Sequence, residues 1–225
     1  MDDVFQRSID QSAFINALQS ITIESCPSQF NFHLHTQHSD GQSEPLELFD
    51  QAIQIGIQGM AITDHHSVGG FEVIRNWLNH SDQDLSDLPY LWTGVEITSA
   101  LLSVDVHILG FAFNPYHSSI KPYLTGESVT GEIRKAENVI AAIHDANGVA
   151  ILAHPHRYRK DAEPLIDSAL QMGLDGIEAY YCYGRGMPWK PSQPQTSELL
   201  KIGDRHNLLV SCGTDTHGLD ITCRR

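Results

Sequence analysis

The stretch FNFHLH at residues 30–35 alternates apolar and polar side chains, as a half-buried β-strand does. Further apolar runs read as strands, and helical patterns separate most of them; these runs lie at 59–63, 90–98, 104–113, 149–153, 176–180 and 208–211. Strand–helix alternation is typical of a parallel sheet, either open or closed into a barrel. The chain has 225 residues, which is the size of one such domain. The sequence therefore predicts a single α/β domain over residues 30–225.

Residues 1–29 are predicted to form an amphipathic leader helix, followed by a loop, that packs on this domain. Their start, MDDVFQRSID, is acidic and polar, unlike a secretory signal. The sequence has no run of about eighteen apolar residues, so we expect no membrane span. The four cysteines form no C-x-x-C pair and are interpreted as reduced thiols. We expect a cytoplasmic protein.

The charge balance limits the partners. Lys plus Arg number 14 and Asp plus Glu number 28, which gives a net charge of −14 with neutral histidines. This balance argues against a protein that binds duplex nucleic acid through a broad basic face. A small phosphorylated substrate is compatible with it if cations gathered at one site reverse the local field. Nothing in the sequence indicates an obligate protein partner.

Histidines and carboxylates cluster at the predicted strand ends. The chain has 13 histidines, and imidazole both binds transition metals and moves protons near neutral pH. The carboxyl ends of strands carry the chemistry in β/α barrels. In His33-Leu34-His35, both imidazoles point to one face of the strand and can bind one ion. The candidate metal ligands are His33, His35, Asp40, His65, Glu96, His107, His154, Asp215 and His217.

The number of candidate ligands indicates more than one ion. A transition metal takes about four to six ligands, so nine donors suit two or three divalent ions that share a bridging carboxylate. Mixed imidazole and carboxylate ligation favours Mn, Fe or Zn over Ca. Each motif alone has an ordinary explanation, such as a surface histidine pair or an Asx turn at residues 215–218. Those explanations would all have to hold at the same end of different strands, which favours a metal site.

The ordered set of motifs resembles the PHP family, named for polymerase and histidinol phosphatase. The match extends from about residue 30 to residue 218. Its motifs are HLHTQHSDG at 33–41, ITDH at 62–65, GVE at 94–96, HILG at 107–110, LAHP at 152–155 and GTDTHG at 213–218. The resemblance implies a distorted seven-stranded TIM-like β/α barrel with a trinuclear metal centre, manganese being the first choice, held by the nine candidate ligands. The Asp40 form of the first motif resembles small stand-alone phosphoesterases, which include nucleotide phosphatases and 5′ exonucleases acting on short RNA.

The activity implied by the resemblance is hydrolysis of a phosphomonoester or phosphodiester of a nucleotide, or of the 5′ end of a short oligonucleotide, by a metal-bound hydroxide. Asp64 or His217 is predicted to pass a proton to the leaving oxygen. Arg157 is the first choice for binding phosphate, because its planar fork can contact two oxygens. Further predicted substrate contacts are His156, Arg134 and Tyr181, with Arg159, Arg185 and Lys190 as weaker cationic candidates.

Two alternatives remain open on the sequence alone. A histidinol-phosphate phosphatase would need an acidic group placed to bind an amine. A non-catalytic PHP module would be expected to lose ligands, whereas all nine positions are filled here. The nucleotide-phosphatase branch of the family carries a large insertion between the motifs that begin at His107 and end at His154. The interval between these two motifs is short in this sequence. The motifs therefore predict the metal chemistry but do not identify the substrate.

Overall fold

A computed structural model of the protein describes residues 3–184 and 189–224. It shows a mixed α/β fold in one domain. The strands are β1 (Phe30–Asn31), β2 (Gly59–Ala61), β3 (Tyr90–Trp92), β4 (Gly94–Leu101), β5 (Val104–Phe111), β6 (Val149–Leu152), β7 (Gly176–Tyr180) and β8 (Leu209–Cys212). The helices are α1 (Asp3–Ser8), α2 (Gln11–Ser20), α3 (Pro45–Ile55), α4 (Gly69–His80), α5 (Ala136–Asp145), α6 (Ala162–Leu170) and α7 (Gln193–His206).

The strands pair in two sheets. Strands β1, β2 and β3 are parallel and form the first sheet. The second sheet has the order β4–β5–β6–β7–β8, in which β5 runs antiparallel to both neighbours while β6, β7 and β8 are parallel. Two isolated bridges, Leu34–Thr216 and His65–Glu96, connect the sheets. Within the described residues the ladders do not close into one sheet, so the predicted seven-stranded barrel is not confirmed.

Two local features explain the difference from seven parallel strands. The predicted strand at 90–98 breaks at Thr93, whose amide donates to the Ser8 carbonyl (3.0 Å) and whose hydroxyl donates to the Phe113 carbonyl (2.8 Å). Strands β3 and β4 therefore join different sheets. Leu102 and Ser103 have positive φ angles of 48° and 66° and form a two-residue hairpin turn between β4 and β5. This turn type makes an antiparallel pair, which an all-parallel barrel does not contain.

The predicted leader helix is two helices in the structure. The helix is interrupted at Asp10, which is the N-cap of α2. The Asp10 carboxylate accepts a hydrogen bond from the amide of Ala13 at 2.9 Å. Phe14 and Leu18 of α2 are buried, and the Phe14 ring lies 5.2 Å from the Phe32 ring and 4.8 Å from the Phe111 ring. The apolar face of α2 thus packs on both sheets, while the boundary at residue 30 stays a prediction.

The core lies between the helices and the sheets. Ile108 of β5 and Leu152 of β6 are register partners and pack with Ile143 of α5, and all three are completely buried. The four cysteines are free and buried, in keeping with the predicted thiols. Of the helices in the described ranges, none is long and apolar enough to cross a membrane.

Candidate metal centre

The chain after β1 brings the first two histidines to the junction of the sheets. The amide of Asp215 donates to the carbonyl of His33 at 2.9 Å, and the amide of Thr63 donates to the carbonyl of Leu34 at 2.8 Å. The segment therefore runs between the ends of β2 and β8, which carry other candidate ligands. Gly213 permits this approach, because a Cβ atom there would lie 2.6 Å from the His33 amide nitrogen.

Two site residues have a backbone conformation that L-amino acids rarely adopt. The φ angle is +54° at Asp215 and +28° at His154. Such left-handed conformations cost energy in non-glycine residues and persist where the surrounding structure holds them. Each lies where the chain leaves a strand of the centre, so the backbone turns there to direct side chains inward.

Glu96 lies at the middle of the cluster. Its Oε1 atom is 2.5 Å from Nδ1 of His107 and 3.1 Å from Nε2 of His154. Its Oε2 atom is 3.0 Å from Nε2 of His33 and 3.1 Å from Nε2 of His35. Nδ1 of His65 lies 3.6 Å from the same Oε2 atom. One buried carboxylate thus faces five imidazoles, which is the position that a carboxylate shared between two ions would occupy.

Asp215 presents a different partner to each of its oxygens. Its Oδ1 atom lies 3.4 Å from Nε2 of His33 and 3.3 Å from Nε2 of His35. Its Oδ2 atom accepts hydrogen bonds from the Tyr181 hydroxyl (2.5 Å) and from Nη1 of Arg157 (2.9 Å). One oxygen therefore faces the imidazoles while the other is held from behind.

Asp40 completes an outer group near the surface. Its Oδ1 atom lies 3.3 Å from Nε2 of His217, 3.7 Å from Nδ1 of His35 and 3.9 Å from Nε2 of His65. Its side chain is 57% exposed, so this group opens to solvent. All nine predicted ligands fall within sets whose donor atoms lie within 4.8 Å of one another; the sets are His35–Asp40–His65–His217, His33–His35–Glu96–Asp215, His33–His154–Glu178 and His65–Glu96–His107.

The protonation of the cluster suits metal binding. Burial alone would raise the pKa of Glu96 and of Asp215, but the surrounding imidazoles hold the pKa of both carboxyls well below its usual range. Burial lowers the pKa of His65 to about 4. Burial would also lower the pKa of His35, but hydrogen bonds to Asp215 and Glu96, together with the charge of Glu96, outweigh it and raise that pKa to about 9. Ionised carboxylates and unprotonated imidazoles are the forms that coordinate metals, so ion binding would displace protons from the buried histidines.

Unpartnered nitrogen atoms provide a test of whether the site fits metal ions. Among the described residues, Nε2 of His35, Nδ1 of His65 and Nδ1 of His154 are buried without a hydrogen-bond partner. Buried polar atoms are normally hydrogen-bonded, and exceptions call for an unseen partner. All three residues belong to the ligand sets. Imidazole nitrogens and carboxylate oxygens are ligands for Mn, Fe and Zn, so the donor set fits such ions.

Asp64 holds the loop that carries Asp40. Its carboxylate is completely buried and accepts three hydrogen bonds of 2.7 Å, from the Thr36 amide, the Thr36 hydroxyl and the Ser39 hydroxyl. The proton transfer assigned to Asp64 from the sequence stays a prediction.

Only some of the predicted substrate contacts lie at the cavity beside the centre. A cavity of about 690 Å³ beside the centre is lined by Arg157 and His217, and phosphate binding by Arg157 stays a prediction. Tyr181 is completely buried, so its ring is not free to stack on a base. His156 is half-buried with Nε2 3.7 Å from Glu198. Arg134 pairs with Asp105 at 2.6 Å and does not line this cavity, while Arg185 lies outside the described residues.

Two residues of the site were not assigned a role by sequence reasoning. Glu178 of β7 contacts Nδ1 of His33 at 2.8 Å. Its position in a predicted strand is a sequence signal that could have marked it. Arg224 also lines the cavity. It follows the last motif and belongs to no pattern, so no sequence signal marks it.

Comparison with known proteins bears on this arrangement. The PHP domain family model matches residues 31–121, which include six of the nine predicted ligands. Over these residues the chain is similar to PHP domains. The 5′-3′ exoribonuclease Rnm of Salmonella typhimurium is 21% identical over 259 residues, covering 84% of this chain and 85% of the relative.

Solved structures share the fold of this chain. A Bifidobacterium adolescentis protein assigned as a metal-dependent phosphoesterase superposes with a TM-score of 0.67 and 25% identity, covering 85% of this chain and 89% of that one. Endonuclease Q, solved with a 27-mer duplex substrate, superposes with a TM-score of 0.50 and 13% identity over 85% of this chain and 49% of its own. The predicted exclusion of duplex nucleic acid is therefore not supported. The family and the relatives together support a metal-dependent hydrolase.

Proposed function

We propose that this protein is a metal-dependent phosphoesterase that cleaves phosphodiester bonds of nucleic acid, with the 5′ end of a short RNA as its substrate. The observation that carries the proposal is the convergence of all nine predicted ligands around Glu96, beside a cavity that Arg157 lines. The named activity of the exoribonuclease relatives supports the RNA substrate. The net charge of −14 favours a short strand end over a long polyanion, because binding many phosphates needs many cations.

The ligand sets indicate which residues would hold the ions. Glu96 would be shared between ions, since it belongs to one set with His33, His35 and Asp215 and to another with His65 and His107. His154, 3.1 Å from Oε1 of Glu96, would be a further ligand. Asp40 and His217 would complete the outer position together with His35 and His65. Bound divalent ions supply Lewis acidity toward phosphoryl oxygens and lower the pKa of bound water towards ~7. We propose manganese as the ion and two or three as the number of ions, in line with the nine donors.

The chain's own groups position the substrate. Arg157 donates to Asp215 through Nη1, and its fork-shaped guanidinium suits a phosphate in the cavity. His217 places its Nδ1 atom 3.0 Å from the backbone carbonyl of Asp215, so a neutral ring donates there and offers a lone pair at Nε2. That tautomer suits a ligand, and we therefore propose His217 as a ligand and not as the proton donor.

The two alternative functions lack a specific supporting contact. A histidinol-phosphate phosphatase needs an acidic group for an amine. Of the acidic residues that line the cavity, Asp40 belongs to a ligand set and Asp220 accepts two hydrogen bonds from Thr222 through Oδ1. A non-catalytic module would be expected to lose ligands, and the described residues retain all nine.

A substrate panel tests the proposal. Purified protein with Mn²⁺ is offered short 5′-phosphorylated RNA, nucleoside mono- and bisphosphates, and histidinol phosphate, and released nucleotide and phosphate are measured. We expect stepwise release of nucleotides from the RNA. A Glu96→Gln variant should lose this activity by at least about 10³-fold, since a buried bridging acceptor is replaced by an amide. A Glu163→Gln variant on the exposed face of α6 is the matched control.

Three results would contradict the proposal. Full activity of the Glu96→Gln variant would show that the proposed metal centre does not carry the activity. Turnover of histidinol phosphate alone would identify the alternative phosphatase. Silence on every substrate, with Mn²⁺ bound, would favour the non-catalytic module.

A further inference from the structure

A second guanidinium lines the cavity beside Asp215. The Nε atom of Arg224 lies 3.3 Å from Oδ2 of Asp215, and its guanidinium carbon lies 5.4 Å from the centre of the Tyr181 ring. The Arg224 side chain is 26% exposed, and the residue lines the cavity together with Arg157. Both arginines therefore reach the same carboxylate oxygen from the cavity side.

Arg224 is in surplus at that oxygen. A carboxylate oxygen has two lone pairs, and the Tyr181 hydroxyl and Nη1 of Arg157 already donate to Oδ2 of Asp215. Arg224 makes the longest of the three contacts. Within residues 3–184 and 189–224 the structure records no hydrogen bond from its guanidinium. Its donors are thus available to another acceptor at the cavity wall.

The two guanidinium groups outnumber the carboxylate that they share. Arg157 and Arg224 both contact Asp215. Two other carboxylates line the cavity: Asp40 faces the imidazoles of the outer group, and Asp220 accepts twice from Thr222 through Oδ1. An anion placed between the two arginines would balance the second positive charge at Asp215.

The segment that carries Arg224 is fixed to the domain. The backbone carbonyl of Arg224 accepts from the amide of His217 at 3.1 Å. Ile221 is completely buried, and its carbonyl accepts from the Asn31 side chain at 3.1 Å. The Thr216 hydroxyl donates to the Asp220 carbonyl at 3.0 Å. The guanidinium is therefore held near the cavity before any ligand arrives, which reduces the entropic cost of binding.

We propose that Arg224 is a phosphate-binding residue that works with Arg157 as a pair. Each planar guanidinium can donate two parallel hydrogen bonds to phosphate oxygens, so the pair binds a phosphate group of the substrate next to the metal centre. This inference rests on the proposed phosphoesterase function and extends it, because it assigns the recognition of the phosphate group to a residue outside the sequence motifs.

Binding of inorganic phosphate tests the pair directly. The Mn²⁺-loaded wild type and the variants Arg224→Gln, Arg224→Lys and Arg205→Gln are titrated with phosphate by calorimetry, and Mn²⁺ affinity is measured separately. Arg205 pairs with Glu163 on the helical surface and is the matched control. We expect Arg224→Gln to weaken phosphate binding by roughly ten-fold or more, since a charge-assisted pair of hydrogen bonds is lost. The phosphate affinity of Arg224→Lys should lie between those of the wild type and Arg224→Gln. The affinity of Arg205→Gln should match that of the wild type.

Steady-state kinetics on 5′-phosphorylated RNA give the second readout. If Arg224 binds phosphate, the Arg224→Gln variant should have a higher KM or a lower kcat/KM than the wild type at saturating Mn²⁺. If phosphate binding and kinetics are unchanged at saturating Mn²⁺ while Mn²⁺ affinity falls, Arg224 only positions Asp215 and the inference is overturned. Phosphate binding that depends on Arg224 in a protein without phosphoesterase activity would support the inference and refute the proposed function.

Discussion

The Nδ1 atom of His33 lies 2.8 Å from Oε1 of Glu178, and both side chains are completely buried. The contact orients the ring so that Nε2 of His33 lies 3.0 Å from Oε2 of Glu96. The other oxygen of Glu178 accepts from the backbone amide of His154 at 2.9 Å. One carboxylate of β7 therefore fixes the ends of β1 and β6, where two predicted ligands lie. Carboxylates behind metal-binding histidines fix the tautomer and the ring orientation.

Replacement of Glu178 should weaken metal binding although Glu178 is not one of the nine predicted ligands. The amide of Glu178→Gln has one acceptor where the carboxylate has two, so it cannot accept from His33 and from the His154 amide together. We expect Mn²⁺ affinity to fall about 10- to 100-fold, and further in Glu178→Ala. Metal titration with a competing chelator measures the change.

The exposed Glu198→Gln variant is the control for this prediction, because Glu198 lies 3.7 Å from His156 and outside the ligand sets. Unchanged Mn²⁺ affinity in both Glu178 variants would show that the His33 ring is held by its metal contacts alone.

The sequence predicted the candidate ligands because their placement follows local rules. The His33 and His35 side chains share one face of an extended segment, as the two-residue period requires. Asp215 and His154 follow β8 and β6 directly, and the ends of parallel strands meet at one edge of the fold. Strand ends can be read from short stretches, so the convergence of distant residues was predictable.

The strand pairing and the supporting contacts were not predictable in the same way. The hairpin at Leu102 and Ser103 contains neither Gly nor Asn, so no turn signal predicts an antiparallel pairing of the strands on either side of it. The break at Thr93 depends on hydrogen bonds to Ser8 and Phe113, which are distant in sequence. The contact of Arg224 with Asp215 follows from the path of the chain after the last motif, and only the folded structure shows it.

Asp64 is expected to support the outer metal group through its loop. Its carboxylate accepts from Thr36 twice and from Ser39 once, and the loop ends at Asp40. The amide in Asp64→Asn cannot accept on its nitrogen, so at least one buried hydrogen bond is lost at a cost of about 1–3 kcal/mol. We expect lower metal content per chain and a lower melting temperature, measured by metal analysis and calorimetry.

The same variant separates positioning from catalysis. If Asp64→Asn keeps full metal content and stability but loses kcat, Asp64 takes part in proton transfer as the sequence indicated. An Asp82→Asn variant, in the loop after α4, is the control because Asp82 is exposed and far from the ligand sets along the chain.

Gly213 is expected to tolerate no side chain. A Cβ atom at this position would lie 2.6 Å from the amide nitrogen and 2.9 Å from the Cα atom of His33, and backbone atoms cannot move aside without displacing His33. We expect Gly213→Ala to lower the free energy of unfolding by about 1–3 kcal/mol and to weaken Mn²⁺ binding. Chemical denaturation and metal titration measure the two effects.

Gly203→Ala is the matched control for this prediction. Gly203 lies within α7, where an added Cβ would make ordinary contacts of 3.6 Å with Val210 and 3.8 Å with Ile177. Alanine should leave stability unchanged or raise it by up to about 1 kcal/mol, because glycine is unfavourable inside a helix. Equal effects of the two substitutions would refute the steric argument at Gly213.

The His144–Asp175 pair should make stability depend on pH. Nε2 of His144 lies 2.8 Å from Oδ2 of Asp175, and this hydrogen bond raises the pKa of His144 above its usual value. A histidine with a raised pKa in the folded state stabilises the fold fully below its unfolded pKa of about 6.5. That contribution disappears as the pH rises through the folded-state pKa.

A double-mutant cycle of His144→Ala and Asp175→Asn measures the coupling energy of this pair in metal-free protein, since bound metal would itself stabilise the fold. Both side chains are about one-third exposed, so the coupling should be only about 0.2–1 kcal/mol at roughly pH 6. It should approach zero at about pH 9, where the imidazole is neutral in both states. A coupling energy that stays constant or grows with pH would show that the pair does not hold a charged histidine.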